Sequence, residues 1–247
     1  MQKCIKVKDL SKIAEEWDQI APLRDRAITL GEDISFDKVL TPAIINEIRE
    51  CDKNFVVDCG CGTGCLAERI SKDAVFVEGV DISKKSIEIA REKFKNNNNM
   101  NFVNMSLEEY AENNERTATV CVANMLLMDV LDLKGTLEAI YRIMKKEASL
   151  ILMITHPCYW PIYWGYFDEP WFQYEKEIVI EAEFSISKHK KMGVSTLVHR
   201  PLSQYTDALL EVGFHLEKIR EPYPKMDEAI EDYEYVFPRF LCMVCRK

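Results

Sequence analysis

Two hydrophobic patterns take turns along this chain. Short runs that are apolar at nearly every position predict buried strands over residues 54–58, 74–80, 101–104, 117–122 and 149–154. Between them apolar residues recur every three or four positions, predicting a helix at 66–70, one at 84–94 with Ile87, Ala90 and Phe94 on one face, and one aligning Leu137, Ile140, Tyr141 and Met144. Another helix is expected from about Ser203, a late strand around His215 and a last strand through Cys242 and Cys245. Strands apolar on both faces that alternate with helices favour a parallel sheet covered on each side, so the expected class is α/β, doubly wound.

Two regions break the alternation. Residues 8–50 hold one amphipathic helix (Leu10, Ile13, Ala14, Trp17, Ile20) and a second around Ile44, Ile45 and Ile48, both ahead of the first strand and readable as a cap. Residues 157–200 begin densely aromatic, "PCYWPIYWGYFDEPWF", then alternate as strands do at Ile178, Ile180, Phe184 and Ile186. They predict a loop and a hairpin, inserted where open α/β sheets bind ligands. The four asparagines at 96–99 read as a surface turn. With no linker-like stretch and no repeat, 247 residues are expected to form one domain, with a helical cap over 1–50 and the insertion over 157–200.

Composition narrows the choice of function. Lys and Arg number 32 against 41 Asp and Glu, a net charge of -9, which disfavours nucleic acid as a partner. No apolar run approaches the ~20 residues of a membrane span. A charged start and nine cysteines without framework spacing suggest the cytoplasm.

The candidate chemistry lies in "FVVDCGCGTGCLAERI", residues 55–70. Cys59, Cys61 and Cys65 lack the paired spacing of a zinc site, so no metal is expected. In the last strand Cys242 and Cys245, three apart, should point to opposite faces, which argues against a redox pair. The glycines are more informative. A strand delivers the chain at Asp58, Gly60, Gly62 and Gly64 allow a tight turn where backbone N–H groups approach a ligand, and a helix follows. About twenty residues on, in "VEGVDIS", Asp81 stands where a carboxylate accepts both hydroxyls of a ribose; its alternative role is a helix cap.

"VVDCGCGTG", "VEGVDIS", "NFVNMSLEEY" and "TVCVANMLLMDV" together resemble the successive motifs of class I S-adenosylmethionine-dependent methyltransferases, well over 54–154 and more loosely beyond, where the chain resembles bacterial small-molecule enzymes with an aromatic insertion. The resemblance implies a Rossmann-like, mostly parallel seven-stranded sheet with helices on both faces, and S-adenosyl-L-methionine as cofactor. It implies that Asp58 with Gly60, Cys61, Gly62 and Gly64 holds the cofactor's amino acid end. Asp81 would bind the ribose and Ile82 pack on the adenine. Ser106, where the family often has Asp, and Leu107 would address the adenine edge, and Asn124 with Met125 would line the methyl region. The expected acceptor is a small molecule methylated on O or N, since "ANML" lacks the polar-Pro-Pro-aromatic run of enzymes acting on nucleic-acid bases. Tyr159, Trp160 and Arg200 are its candidate contacts. His156, just past the fifth predicted strand, and His199 are the candidate catalytic groups, able to take a proton or orient the acceptor; the alternative for His156 is a bond to a backbone carbonyl. His189 reads as a solvated turn. A nicotinamide-dependent oxidoreductase, which would want the longer G-x-G-x-x-G spacing, and a non-catalytic cofactor-binding module are the competing readings.

Overall fold

The structure is a computed structural model and describes residues 2–5, 8–186, 191–224 and 236–247. Its elements run β1 (Lys3–Ile5), α1 (Leu10–Thr29), a π-turn (Phe36–Leu40), α2 (Thr41–Ile48), β2 (Val56–Cys59), α3 (Cys65–Ser71), β3 (Val77–Asp81), α4 (Lys84–Lys93), β4 (Met100–Asn104) and α5 (Leu107–Asn113). Then come β5 (Ala118–Asn124), α6 (Leu133–Ile143), β6 (Met144–Thr155), α7 (Trp160–Trp164), β7 (Ile178–Ser185), β8 (Lys191–His199), α8 (Leu202–Val212), β9 (His215–Arg220) and β10 (Phe240–Arg246).

Seven strands form one sheet in the order β4-β3-β2-β5-β6-β10-β9. Pairing from β4 to β6 is parallel, and β10 runs antiparallel to both β6 and β9. Side-chain alternation splits the strands between two cores. Val56, Val120, Val122 and Ile151 meet Ile44 of α2, Ile70 of α3 and Ile87 of α4. On the other face Val57, Cys121 and Leu150 meet Tyr110 of α5, Ile140 of α6 and Leu209 of α8. Helices therefore cover both faces, as the alternation predicts. Cys242 joins one core and Cys245 the other, so the two thiols stand on opposite sides of β10.

From β2 the chain builds outward to β3 and β4, then returns to place β5 on the far side of β2. That reversal opens a crevice at the carboxyl ends of β2 and β5, where such sheets bind ligands.

The two irregular regions meet each other over the crevice. β7 and β8 form the expected hairpin, and β1 adds to it as a third strand, in the order β1-β7-β8. The Trp17 ring of α1 packs edge-on against Phe184, with centroids 5.3 Å apart. Ile20, Ala27 and Met192 are buried between helix and hairpin. The predicted cap divides: α1 lies on the hairpin, whereas α2 buries Ile44 and Ile48 in the layer beneath the main sheet.

Three local expectations change. Residues 107–113 form a helix unmarked by the apolar pattern, closed by a capping box in which Ser106 Oγ accepts from Glu109 N and Ser106 N donates to Glu109. A short helix, α7, stands inside the aromatic segment read as loop. Met144, aligned with the helical face, instead opens β6 and stays buried there.

Candidate active site

The crevice contains a cavity of about 1190 Å³. Its floor is the glycine turn and the ends of β3 and β5; its roof is α1, α7 and the hairpin. A single small-molecule pocket occupies roughly 300–1,000 Å³, so the space exceeds what one ligand requires.

The turn after β2 has left-handed backbone at Gly60, Gly62 and Gly64, with φ of 69°, 53° and 78°. A Cβ at Gly60 would lie 2.8 Å from Leu126 Cδ1, and one at Gly64 2.7 Å from the Phe102 ring; a Cβ at Gly62 would enter open space. Gly60 and Gly64 thus admit close packing, and Gly62 faces the cavity. The expectation that the turn's amides reach for a ligand is corrected here. Gly60 N and Cys61 N both donate to Val80 O, at 2.8 and 3.1 Å, and Gly62 N donates to Asp81 Oδ2 at 2.8 Å. Gly64 N donates to Cys61 O at 3.0 Å, so of the turn's amides the Thr63 N–H alone has no acceptor among the described residues, and Thr63 lines the cavity.

Asp58 is buried, and its Oδ2 has no hydrogen-bond partner among the described residues. Burial, reinforced by the nearby Asp81 charge, pushes its carboxyl up to about 8. Asp81 Oδ1 accepts from Ser83 N at 2.8 Å, so the carboxylate ties the turn to the start of α4 while each oxygen keeps a lone pair. Ser83, not Asp81, caps α4. Ile82, Ser106, Leu107 and Met125 line the same cavity, as does Asn124, whose Oδ1 is buried without a partner among the described residues. Met125 holds φ 57°, a strained value for a non-glycine residue, of the kind that clusters at functional sites. Cys61 Sγ packs 2.7 Å from where a Gly79 Cβ would be, and burial pushes its thiol well up. No cluster of His, Cys, Asp and Glu suited to a metal occurs among the described residues.

The acceptor-side candidates divide. Trp160 lines the cavity, beside Tyr163 and Trp164. Tyr159 does not; it stacks on Phe237, with centroids 5.1 Å apart, and meets the His156 ring at a tilt, with centroids 4.6 Å apart. His156 is also outside the cavity wall. Its Nδ1 accepts from Cys158 N at 3.2 Å and its Nε2 meets Glu221 Oε1 at 3.0 Å, so both ring nitrogens are engaged away from the cavity, with a carboxylate instead of the backbone carbonyl expected of a structural role. Burial lowers its imidazole, opposed by Glu221. His199 lies among Tyr166, Phe172 and Tyr174, its Nε2 at 3.0 Å from Tyr174 O, likewise away from the cavity. Arg200 is 1% exposed and is spent on the protein itself. It donates to Glu177 Oε2 at 2.6 Å, Leu127 O at 3.1 Å, Val130 O at 2.8 Å and Leu131 O at 3.1 Å. It clamps the loop after β5 and offers nothing to an acceptor. His189 lies outside the described residues.

Sequence reasoning missed six charged groups in the wall: Arg24, Asp33, Glu108, Asp129, Asp132 and Arg239. Arg24 Nη1 pairs with Asp33 Oδ2 at 3.0 Å, and Arg24 lies over the Phe184 ring. A carboxylate interrupting the apolar run "ANMLLMDV" was the available signal for Asp129.

Residues 56–147 match the family model described as a methyltransferase domain. The likeness to methyltransferase domains thus covers β2 to the start of β6, less than half of the chain. Over 91 residues it is 29% identical to a ubiquinone biosynthesis O-methyltransferase of Vibrio atlanticus, a match covering 36% of this chain and 38% of that protein. Over 152 residues it is 22% identical to a ubiquinone/menaquinone biosynthesis C-methyltransferase of Campylobacter jejuni, covering 58% of this chain and 63% of that protein. The chain therefore spans less than two thirds of either curated relative. Among solved structures, a putative S-adenosylmethionine dependent methyltransferase from Listeria monocytogenes superposes with a TM-score of 0.67 at 21% identity, over 84% of this chain and 97% of that one. This last likeness is one of fold. The matched stretch contains the glycine turn, Asp58, Asp81, Asn124 and Met125; α1, α7 and the hairpin lie outside it.

Proposed function

We propose that this chain transfers the methyl group of S-adenosylmethionine to an O or N atom of a small-molecule acceptor held under α1 and the 157–200 insertion. The observation that carries this reading is a pair of buried acceptor oxygens without a partner among the described residues, Asp58 Oδ2 and Asn124 Oδ1, on two residues that line one cavity at the sheet's reversal point. The residues fit the cofactor's chemistry: a ligand bearing an ammonium and a sulfonium needs acceptors and negative charge. When bound, it supplies a methyl carbon whose bond to sulfur breaks, leaving the electron pair on sulfur, as the acceptor's lone pair forms the new bond.

The protein's own residues then have defined tasks. Asp58, with the carbonyl side of the Gly60–Cys61–Gly62 turn, receives the ammonium, Gly64 lets α3 pack close behind, and a cation beside Asp58 favours its ionised form. Asp81 receives the ribose hydroxyls on lone pairs that its two amide bonds leave free. Ile82 and Leu107 enclose the adenine. The Ser106 hydroxyl already accepts a cap bond, so what it can add at the base edge is a donated hydrogen. Asn124 and Met125 flank the methyl region. Trp160, Tyr163 and Trp164 wall the acceptor space and exclude water, so orientation, worth several kcal/mol in favourable cases, supplies much of the rate. Helix α1 and the 157–200 insertion are read as cap and lid of one domain, α2 belonging to the layer beneath the sheet.

Thermal-shift titration tests the cofactor reading. S-adenosylhomocysteine is expected to raise Tm in a saturable way and NAD to leave it unchanged; a shift with NAD alone would replace the methyltransferase reading by an oxidoreductase.

A further inference from the structure

The cavity wall is acidic. It carries the carboxyl groups of Asp33, Asp58, Asp81, Glu108, Asp129 and Asp132 against the guanidinium groups of Arg24 and Arg239. Four of these carboxyls are already committed. Asp33 accepts from Phe36 N and pairs with Arg24, Asp81 accepts the two amides above, Glu108 accepts from Thr136 Oγ1 at 2.8 Å, and Asp132 caps α6 by accepting from Gly135 N at 2.9 Å. Two remain. Asp58 keeps one free oxygen beside the glycine turn, where a single ammonium is accounted for. The Asp129 carboxyl has no hydrogen bond among the described residues, and it lies in the wall shared with α1 and the hairpin.

The backbone around Asp129 is held unusually firmly for a loop. Asp129 N closes a turn onto Leu126 O at 2.8 Å, Val198 N donates to Met128 O at 2.6 Å, and Arg200 grips Leu127 O, Val130 O and Leu131 O. The carbonyls on both sides are pinned outward to β8 and Arg200 while the carboxyl is presented inward. Such preorganisation of a polar group that nothing in the protein satisfies is what a ligand site requires. The charges facing Asp129 come from α1: Arg24, itself paired with Asp33, and Glu16. Aromatic rings, Trp17, Trp160, Trp164 and Phe184 among them, make up the rest of this end of the cavity.

We infer that Asp129 is the acceptor-binding and proton-accepting residue of this site, and that the acceptor presents an amine or a hydroxyl on an apolar, ring-bearing body. The inference rests on the methyltransferase reading. The acceptor's N–H or O–H donates to an Asp129 oxygen, which aims the lone pair. As that lone pair is committed to the methyl carbon, the displaced proton passes to the same carboxylate oxygen, so the charge lost from sulfur leaves the nucleophile and neutralises Asp129. Burial pushes the Asp129 carboxyl well above the ordinary carboxylate range, so the cation of an amine acceptor is what favours the ionised form that takes the proton, whereas an anionic acceptor would disfavour it; Arg24 is already paired with Asp33, and Arg239 is held on Tyr163.

Two fragments of one shape and opposite charge, benzylamine and benzoate, test this on protein saturated with S-adenosylhomocysteine, with ligand-observed NMR or calorimetry as readout. The wild-type protein should prefer benzylamine at least tenfold, and Asp129→Asn should erase that preference while its affinity for S-adenosylhomocysteine stays within about twofold, which also reports an intact fold. Arg24→Met, which removes the opposing cation, should retain the preference for benzylamine. Wild-type protein that takes neither fragment, or takes benzoate equally well, overturns the assignment, as does an unchanged preference in Asp129→Asn. Failure of the wild type to bind S-adenosylhomocysteine at all would instead overturn the cofactor reading, and this assignment with it.

Discussion

At the scale of single residues, burial decides which carboxylates can respond to a ligand. Asp58 is held up to about 8 by burial and by Asp81, so near neutral pH the empty site keeps it largely protonated. Its folded value lies above the ordinary carboxylate range. It therefore lowers the stability of the empty protein progressively as pH rises from about 4 toward 8, and an arriving cation relieves that cost by favouring ionisation. Calorimetry of S-adenosylhomocysteine binding at pH 7, repeated in buffers of different ionisation enthalpy, should show a fraction of a proton released per ligand, and Asp58→Asn should abolish the release. A buffer-independent enthalpy in the wild type would mean that Asp58 does not meet the ammonium. For Asp81→Ala, the loss of charge-assisted bonds should cost about 1.5–3 kcal/mol, a roughly 10- to 150-fold rise in Kd. Because Asp81 also ties Gly62 to the start of α4, an Asp81→Asn variant, which keeps one acceptor oxygen, should recover part of the affinity.

At the scale of elements, what the sequence made legible follows from how local each signal is. Strands β2 to β6 and helices α3, α4 and α6 are written in apolar spacing, because each buries its side chains against a neighbouring layer. The same spacing placed Cys242 and Cys245 on opposite faces of β10. Helix α5 was hidden because its marker is polar: Ser106 and Glu109 form a capping box, a signal carried by hydrogen bonds and absent from the apolar pattern. The glycine turn and Asp81 were readable as a strand-turn-helix unit, yet which way the turn's amides point depends on Val80 O, a partner on another strand. His156, His199 and Arg200 misled for one common reason. Position beside the sheet's carboxyl edge said nothing about the partners that would occupy their polar atoms, and Glu221, Tyr174 and the 127–131 carbonyls occupy them. Asp129 and Arg24 come to share one cavity wall only in three dimensions, so their approach had no sequence signature. The Arg200 clamp carries its own prediction. Arg200→Met strands three loop carbonyls, while Glu177, its side chain 41% exposed, keeps water as a partner; unsatisfied buried acceptors at about 1–3 kcal/mol each should, for a chain of this size, lower Tm by roughly 10 °C. A Tm within 2 °C of wild type would show that water replaces the guanidinium without penalty.

At the scale of the whole molecule, helix α1 joins the cofactor-facing half to the insertion. On one side Asp18 accepts from Ser83 Oγ and Lys85 N at the start of α4, and Lys93 reaches Asp25 and Thr29. On the other, Trp17 packs on Phe184, Thr196 Oγ1 donates to Glu16, and Lys8 bridges Glu16 and Glu181. The cavity is roofed by this helix, since Ile13, Trp17, Ala21, Arg24 and Ile28 all line it, whereas Asp58 and Asp81 sit on the sheet below. Replacing the whole aromatic segment would be a poor test of the lid, because Tyr166 within it is 1% exposed and belongs to the main core. Gly193 offers a cleaner cut. It holds φ 148°, and a Cβ there would lie 3.0 Å from Ile20 Cγ1, so Gly193→Val must push α1 away from β8 while touching nothing near the glycine turn. The expected outcome is faster amide exchange over residues 10–29 and 191–199, S-adenosylhomocysteine affinity within about threefold of wild type, and methyl transfer reduced at least tenfold once an acceptor is in hand. Because Asp18 ties α1 to Ser83 and Lys85, next to Asp81, Asp18→Ala should show the opposite balance, weakening cofactor binding more than it loosens the hairpin. If Gly193→Val weakened cofactor binding as much as it weakened transfer, α1 and the insertion would be part of the cofactor's own wall and not a separate acceptor lid.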